Sequence, residues 1–135
     1  KSTNAGGWAD STLNTWLNTR MVKAISPLWK ALIKPVKVYS SVGNKSNDTS
    51  VSNCRFYVPS LYEVYPTAAS EPYISETNAP IAYFTDDDTR KKAKSSTPAE
   101  YESYWTRSPN ATVANWLYTV NESGATYGFS YPGWN

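Results

Sequence analysis

The sequence contains no histidine and only one cysteine, and these two shortages exclude several kinds of chemistry. Without histidine, the chain has no Ser-His or Cys-His nucleophile pair and no zinc site with histidine ligands. The single cysteine, Cys54, cannot form a disulfide within the chain, and we interpret it as a small, partly buried apolar residue. We therefore predict that the protein is not an enzyme and has no catalytic residues.

Charge is also scarce, since only 18% of the residues are charged and the net charge is +2. A net charge of +2 is too small to indicate a surface that binds nucleic acid, and we expect no nucleic-acid partner. Arg90 with Lys91, Lys92 and Lys94 makes a basic run, which we interpret as a solvated segment. No apolar run approaches the roughly 20 residues that a membrane-spanning helix needs, so we expect no membrane insertion.

Aromatic side chains, by contrast, are abundant, with 11 Tyr and 6 Trp among the 135 residues. Both side chains combine a large apolar body with a polar tip, so they suit a loop-rich core and a half-buried contact surface equally well. The length fits one domain, residues 1–135, that can bury a core. Whether the aromatic residues fill that core or contact a partner stays open at this point.

The first third of the chain has the pattern of helices. After a cap at Asp10 or Ser11, apolar residues recur at spacings of three and four. They are Leu13, Trp16, Leu17, Met21, Ala24 and Ile25. Ser26 followed by Pro27 predicts the start of a second helix, which ends before Pro35. Its apolar face consists of Leu28, Trp29, Leu32 and Ile33.

The middle of the chain has the pattern of short strands and loops. We predict a strand at 36–38, a long surface loop over 40–53 that is rich in Ser and Asn, and a strand at 56–58. Ser60 and Glu63 match a capping box that opens a single helical turn. The proline-punctuated stretch that follows is predicted to be irregular.

The last third shows the alternation of an antiparallel sheet. We predict strands at 103–106 and 115–120, and a turn over 121–124 in which Gly124 supplies a positive φ before the chain returns through 125–129. Neither face of the second strand is purely polar, so both faces should be covered. The whole pattern predicts an α+β domain, with N-terminal helices packed on a small curled antiparallel sheet.

Two groups of carboxylates are candidates for chemistry. Asp86, Asp87 and Asp88 have the hard oxygen ligands that Ca²⁺ takes, but they lack the alternating spacing of an EF-hand and suit the start of a helix equally well. The second group is Glu63, Glu100 and Glu102. Glycoside hydrolysis requires two carboxylates at a set separation, and nothing in the sequence places these together. We predict no metal site and no cofactor.

Two motifs in the chain resemble those of a known domain family. The first runs over 6–18 and begins Gly6-Gly7-Trp8, and the second is the stretch from Tyr104 and Trp105 to Pro109. Spacers that also look like those of the family lie at 33–38, 41–46, 58–64 and 81–90. The family is a domain of unknown function in surface proteins of gram-positive gut bacteria and in tail proteins of their phages. It is distantly similar to C-type-lectin-like folds.

This resemblance implies a context rather than a reaction, because the family supplies no catalytic residues. It implies a non-enzymatic adhesion or receptor-recognition module of a phage tail tip or fibre, or of a bacterial surface protein. The protein would be extracellular, in a virion or on the cell surface. Its partners would be a cell-surface glycan or protein receptor and other copies or neighbouring segments of the polypeptide. The alternative is a structural assembly or spacer domain of a virion or surface fibre, without ligand binding.

Candidate binding residues cluster near the end of the chain, where Tyr, Trp and Asn have the composition of antibody paratopes. They are Asn110, Asn115, Trp116, Tyr118, Asn121, Tyr127 and Tyr131. An exposed concave face lined by these aromatic residues would favour binding, and burial under another copy would favour assembly.

Four residues are expected to be structural keystones. They are Trp8, Trp16, Trp105 and Arg107. Trp105 and Arg107 share one face of a strand, so the guanidinium lies among aromatic residues and needs a carboxylate partner if it is buried. We predict that this partner is one of the aspartates at 86–88, and the alternative is that Arg107 contacts a ligand.

The chain departs from the family pattern at both ends. The family has strands before its Gly-Gly-Trp motif and a closing strand that reads roughly Gly-Val-Arg-Pro-Ala-Phe, and both are missing here. We therefore expect a fragment in which residues 114–130 lie against a segment outside this chain or against another copy, because an uncovered strand edge recruits other chains. We expect the isolated chain to self-associate or to unfold easily.

Overall fold

The computed structural model of the chain describes residues 3–68, 73–76, 79–110 and 112–127, and at positions 68, 74 and 127 it describes the backbone alone. In these residues, short helices and three small antiparallel sheets alternate, so the fold is α+β, as predicted. No helix in the described part of the chain has both the length and the apolar character needed to cross a membrane.

The first predicted helix is a helical segment in three parts. Helix α1 covers Thr12–Trp16, a π-helical turn covers Leu17–Met21, and helix α2 covers Val22–Ala24. The Ser11 hydroxyl accepts a hydrogen bond from the Asn14 amide at 3.0 Å, which confirms the predicted cap. The helix start was therefore readable from local sequence, whereas the π-helical turn was not predicted.

Helix α3 covers Pro27–Leu32 and begins as predicted, with Ser26 as its N-cap and proline in the first turn. Its predicted apolar face is not covered by the described part of the chain. Leu28 is 68% exposed, Trp29 58% and Leu32 62%. The expected packing of the N-terminal helices therefore holds for α1, where Leu13 contacts the core, and not for α3.

Strands β1 (Val36–Ser41) and β2 (Thr49–Cys54) form an antiparallel hairpin. The predicted loop over 40–53 is therefore wrong, since only the residues between the two strands form a loop. The strands in this stretch were not predicted because Ser and Asn have a low intrinsic preference for strands. In a sheet, burial and cross-strand pairing outweigh that preference. Ser40, for example, is fully buried, and its hydroxyl lies 3.4 Å from that of Ser50 on the opposite strand.

The predicted strand at 56–58 is also wrong, and its backbone groups show why. Asn18, in the π-helical turn, donates from Nδ2 to the Phe56 carbonyl at 2.9 Å and accepts the Phe56 amide at Oδ1. The Val58 carbonyl accepts a hydrogen bond from Arg107. Side chains from distant parts of the sequence thus take the hydrogen bonds that a neighbouring strand would have taken.

The middle of the chain contains several short helices. Helix α4 covers Leu61–Val64 and has the predicted capping box between Ser60 and Glu63. In the stretch predicted to be irregular, two 3₁₀ turns lie at Pro66–Ala68 and Tyr73–Glu76. The four-residue helix α5 follows later in the chain.

The aspartates form the start of that helix. Helix α5 covers Asp87–Arg90, and the Asp86 carboxylate caps it by accepting the Thr89 amide at 2.9 Å. Hydrogen bonds from the Thr89 amide and then from the Thr85 hydroxyl lower the pKa of Asp86 below its ordinary value. The interpretation of these residues as a helix start is confirmed.

Two further sheets complete the fold. β3 (Lys92–Ala93) pairs with β4 (Tyr101–Glu102), and β5 (Tyr104–Pro109) forms one edge of a three-stranded sheet. β5 runs further than the predicted strand at 103–106, with an irregular register in its second half. There the Arg107 amide donates to the Pro59 carbonyl at 2.9 Å instead of to a strand neighbour.

The rest of this sheet is the predicted hairpin. β6 (Leu117–Val120) pairs antiparallel with β5 on one side and with β7 (Thr126–Tyr127) on the other. The turn between β6 and β7 contains Gly124 at a φ of 86°, so the predicted positive φ is confirmed. The end of the predicted return segment, 128–129, lies outside the described residues.

The core lies between the helical segment and the β1–β2 hairpin. Trp8, Val38 and Cys54 are its buried centre, and Leu13 and Leu17 from the helical segment pack against it. Cys54 is a free, buried cysteine, as expected. Since Trp8 belongs to the first sequence motif, this core fixes that motif against the first hairpin.

Candidate functional site

The Arg107 guanidinium forms hydrogen bonds through all three of its nitrogens. Arg107 on β5 and Glu63 on α4 are both buried, and they form a bidentate pair with Nη1–Oε2 at 2.6 Å and Nη2–Oε1 at 2.9 Å. The prediction of an aspartate partner from 86–88 is therefore wrong. Those aspartates are engaged locally, because one caps α5 and the other two pair with Arg90 and Lys91.

The remaining donors of Arg107 also meet acceptors of the protein. Nη1 donates to the Val58 carbonyl at 3.0 Å, and Nε and Nη2 lie 3.3 and 3.2 Å from the Tyr39 carbonyl. Nη2 also donates to the Glu76 carbonyl. A guanidinium has five N–H groups, and these contacts together with Glu63 use every nitrogen. Arg107 therefore joins β1, α4 and β5, and its role as a structural keystone stays a prediction.

A second carboxyl, that of Glu76, is fully buried beside this pair. Its Oε1 accepts the Ser41 amide at 2.8 Å, and its Oε2 accepts the Ser108 hydroxyl. Burial raises the pKa of Glu76 from 4.5 to about 7, although the hydrogen bonds and the nearby Arg107 act in the opposite direction. A perturbed pKa is often found at catalytic sites, but this carboxyl is 0% exposed and its two oxygens are occupied.

Next to this polar centre lies an open cleft of about 580 Å³. One wall is the N-terminal segment with the start of α1, and it includes Gly7, Trp8, Asp10, Ser11, Thr12 and Leu13. The other wall is β5, with Tyr104, Trp105, Thr106 and Arg107. Val58, Lys92 and Leu117 complete the lining. Residues of both sequence motifs, which are about a hundred residues apart in the chain, therefore line the same cleft.

Asn4 fixes the N-terminal wall of this cleft. Its Nδ2 donates to the carbonyls of Asn110, Val113 and Trp116 at 3.1, 3.1 and 2.8 Å, and its Oδ1 accepts the Asn44 amide at 2.7 Å. Asn4 is itself buried. One amide side chain thus joins the N-terminal segment to the first hairpin and to the loop before β6.

Gly7 allows this wall to approach β1 closely. Its φ is +52°, and a Cβ added there would lie only 1.9 Å from the Ser41 carbonyl oxygen. No side chain fits such an approach without a shift of the backbone. The second glycine of the Gly-Gly-Trp motif is therefore a packing requirement that positions Trp8.

The indole N–H group of Trp8 is buried and has no hydrogen-bond acceptor in the described part of the chain. The residue as a whole is 3% exposed. A buried donor without an acceptor costs about 1–3 kcal/mol, and such groups are rare in folded proteins. Trp8 also lines the cleft, although its Nε1 atom is itself buried.

The predicted binding residues occupy a different place, and none of those described lines the cleft. The Asn110 Oδ1 accepts the amides of Thr112 and Val113, both at 2.9 Å. The Asn121 Oδ1 accepts the amides of Ser123 and Ala125, both at 3.0 Å. These side-chain oxygens therefore form turns.

The aromatic members of the predicted set whose side chains the structure describes are neither fully buried nor fully exposed. Trp116, Tyr118 and Asn115 are half-buried, and the Tyr118 ring packs edge-on against Tyr73 at 5.0 Å. The side chain of Tyr127 and the whole of Tyr131 lie outside the described residues. A role of this set in binding stays a prediction.

The three predicted tryptophan keystones differ in burial. Trp8 is in the core, whereas Trp105 is half-buried and lines the cleft. Trp16 is 51% exposed, which does not fit a keystone. The position of Trp16 in the helical repeat suggested that it is buried. Of the apolar residues on this helix, however, Leu13 and Leu17 pack against the core and Trp16 does not.

Each glutamate that was considered for acid/base catalysis forms an ion pair with a different cationic side chain. Glu63 pairs with Arg107, Glu100 pairs with Lys94 at 2.8 Å, and Glu102 pairs with Lys92. In the described ranges, no group of three or more Asp, Glu or Cys side chains is arranged to hold a metal ion. The absence of a metal site and of a cofactor remains a prediction.

The comparisons with known proteins agree with the motif resemblance at the level of the family. No curated protein and no solved structure matches the chain. One family model does match, that of a domain of unknown function (DUF6273), and the match covers residues 1–132. Because it spans nearly the whole sequence, the chain belongs to the DUF6273 family.

Proposed function

We propose that this domain is a non-enzymatic ligand-binding module for adhesion or receptor recognition, and that its ligand occupies the cleft between the N-terminal segment and β5. The cleft is the observation that carries the proposal. Its volume of about 580 Å³ lies within the range of roughly 300–1,000 Å³ typical of small-molecule sites. Such sites combine apolar walls with a few convergent polar groups, and this cleft has both.

The lining indicates the chemistry of the ligand. Leu13, Val58 and Leu117 supply apolar wall, and Trp105 supplies a half-buried aromatic surface. Polar side chains next to this wall are Asp10, Ser11 and Thr12. A glycan presents an apolar ring face and hydroxyl groups, and a side chain of a protein receptor can present a similar mixture.

The family context supports a location outside the cell. The motifs resemble those of surface proteins of gram-positive gut bacteria and of the tail proteins of their phages, so we place the domain at a bacterial surface or in a phage tail tip or fibre. The non-enzymatic part of the proposal is supported by the lack of histidine and by the enclosure of Glu63 and Glu76.

A glycan and receptor array tests the proposal when it is probed with matched tryptophan variants. We expect Trp105→Ala to reduce binding at least tenfold, because truncation of an aromatic residue that anchors an interface costs about 1.4 kcal/mol or more. Trp29→Ala is the matched control, since Trp29 is exposed and does not line the cleft. Circular dichroism of each variant checks that the fold is kept.

Other outcomes would point elsewhere. Binding that survives Trp105→Ala but is lost in Tyr118→Ala would move the site to the predicted patch near β6. A cleft filled by another copy or by a neighbouring segment, with no bound glycan or receptor, would favour the alternative of structural assembly.

A further inference from the structure

The cations and carboxylates of the chain are unevenly distributed. Residues 11–47 contain no Asp and no Glu, although the chain has 11 such residues. The same stretch contains six of the 13 cations, which are Arg20, Lys23, Lys30, Lys34, Lys37 and Lys45. The modest net charge of the whole chain therefore conceals a strongly basic region, which contains the N-terminal helices and strand β1.

Four of the nine large apolar side chains that are exposed in the described part of the chain lie on the helices of this region. Leu28, Trp29 and Leu32 on α3 and Trp16 on α1 are more than half exposed. Arg20, Lys23, Lys30 and Lys34 are exposed in the same stretch of sequence. Of the ion pairs formed by the described residues, none involves these four cations. We refer to residues 16–34 as the basic aromatic segment.

The backbone of this segment is anchored to the rest of the domain. Arg55 donates from Nη1 to the carbonyls of Lys30, at 3.2 Å, and of Ile33, and so holds the carboxyl end of α3. Asn18 holds the π-helical turn by accepting the Arg55 amide at 2.7 Å. The segment is thus held at two places, while its Trp16, Trp29, Leu28 and Leu32 side chains are exposed.

We propose that the basic aromatic segment docks on the surface of an anionic lipid bilayer. Surface-lying helical segments combine Lys and Arg with Trp and Leu, and Trp is enriched at the headgroup level. In this arrangement the lysines lie near lipid phosphates, and Leu28 and Leu32 lie at the acyl boundary. This is adsorption at the surface, so the expectation of no membrane insertion is unaffected.

Two other occupants fit the segment less well. Lys is depleted in protein–protein interfaces relative to the rest of the surface, so a protein partner would have to accept an unusual composition. A second copy that packs through the same segment would place like charges against each other. The bilayer satisfies the apolar and the cationic side chains together.

Vesicle sedimentation with the full chain tests this proposal. We expect the chain to sediment with vesicles of equal parts phosphatidylcholine and phosphatidylglycerol, and not with phosphatidylcholine alone. Binding should weaken as salt is added, because salt screens exposed charges. Brominated phosphatidylcholine in the mixed vesicles should quench tryptophan emission, and the quenching should fall in a Trp29→Phe variant that still sediments.

Two double variants with equal charge separate the segment from net charge. Lys23→Gln with Lys30→Gln should weaken binding roughly 25-fold, since each lysine near an anionic surface contributes about a factor of five. Lys91→Gln with Lys94→Gln removes the same charge where both lysines already pair with carboxylates. This control should change the affinity by less than about threefold.

Several results would overturn the proposal. They are no sedimentation with the mixed vesicles, equal affinity for phosphatidylcholine alone, and equal losses in the two double variants. A chain that binds polyglutamate but not vesicles would show that the partner is an acidic polypeptide. A dimer in sedimentation velocity that is broken by Trp29→Ala, without vesicle binding, would show that the partner is a second copy.

Discussion

The polar centre around Arg107 and the cleft beside it are adjacent, but they differ in how completely the protein bonds their polar groups. In the polar centre, every nitrogen of the guanidinium has an acceptor, and Glu63 supplies two of them. The polar centre is thus fully hydrogen-bonded within the chain, whereas the indole N–H of Trp8 beside the cleft has no acceptor among the described residues. This difference separates residues that hold the fold from residues that we propose bind a ligand.

The largest effect is expected from breaking the polar centre. Arg107→Ala leaves Glu63 buried without its cation, and loss of one partner from a buried pair costs about 3–5 kcal/mol. Urea denaturation measures this loss. Lys94→Ala is the control, because its exposed pair with Glu100 contributes no more than about 1 kcal/mol. Unchanged stability of Arg107→Ala would refute the structural role of this residue.

A second, smaller effect concerns the buried carboxyl of Glu76. Its pKa is about 7 in the folded protein, against an ordinary value of 4.5 for a solvated glutamate, so the folded state keeps its proton to higher pH. This group therefore contributes stability that is fully present below about pH 4.5 and is lost as the pH rises through 7. The loss is about 3 kcal/mol, from the size of the shift.

The pH dependence is isolated by comparison with Glu76→Gln, which cannot ionise at this position. Urea denaturation of both proteins at about pH 5 and about pH 8, on either side of the raised pKa, should show a larger loss of stability with rising pH in the wild-type chain than in the variant. The same dependence in both would mean that Glu76 ionises as readily in the folded state as in the unfolded chain.

The next prediction concerns Gly7, which lines the cleft, and it tests how tightly the residues around the cleft are packed. Gly7→Ala places a side chain at a positive φ and against the Ser41 carbonyl, so we expect a loss of at least about 1–2 kcal/mol. Ala9→Gly, two residues along, is a control for a backbone change nearby. Thermal unfolding gives both values, and a Gly7→Ala protein as stable as the wild type would show that the wall is not tightly packed.

The smallest effect is expected at the aspartates, which the chain itself already engages. Asp86 caps α5, and Asp87 pairs with Arg90, so millimolar Ca²⁺ should leave the melting temperature unchanged. Calorimetry with and without Ca²⁺ checks this. A rise in melting temperature that disappears in Asp87→Ala would reveal a calcium site and would overturn the prediction that the domain needs no metal.

The features that the sequence predicted well depend on residues a few positions apart. The Ser60–Glu63 capping box and the Ser26–Pro27 helix start are examples, since each is a hydrogen bond or a φ preference within one helical turn. The turn at Gly124 belongs with them. Local patterns therefore predicted the fold class and most of the helix starts.

The features that were missed depend on distant partners. Glu63 and Arg107 are 44 residues apart, and no spacing rule connects them. Ser40 and Ser50 have the composition of a loop. They lie in strands because the two halves of the hairpin pair with each other and Ser40 is buried there, which the local sequence does not show. The cleft was missed for the same reason, since its walls come from opposite ends of the sequence. Its one local signal was the paired glycine before Trp8.

The most direct test of the proposed binding site is a titration of the ¹⁵N-labelled chain with the strongest ligand found on the array, followed through the indole N–H signals. We predict that the signals of Trp8 and Trp105 shift with the same saturation curve, while that of Trp29 stays in place. Shifts of Trp116 with unchanged Trp8 and Trp105 signals would contradict the proposal that the cleft is the binding site.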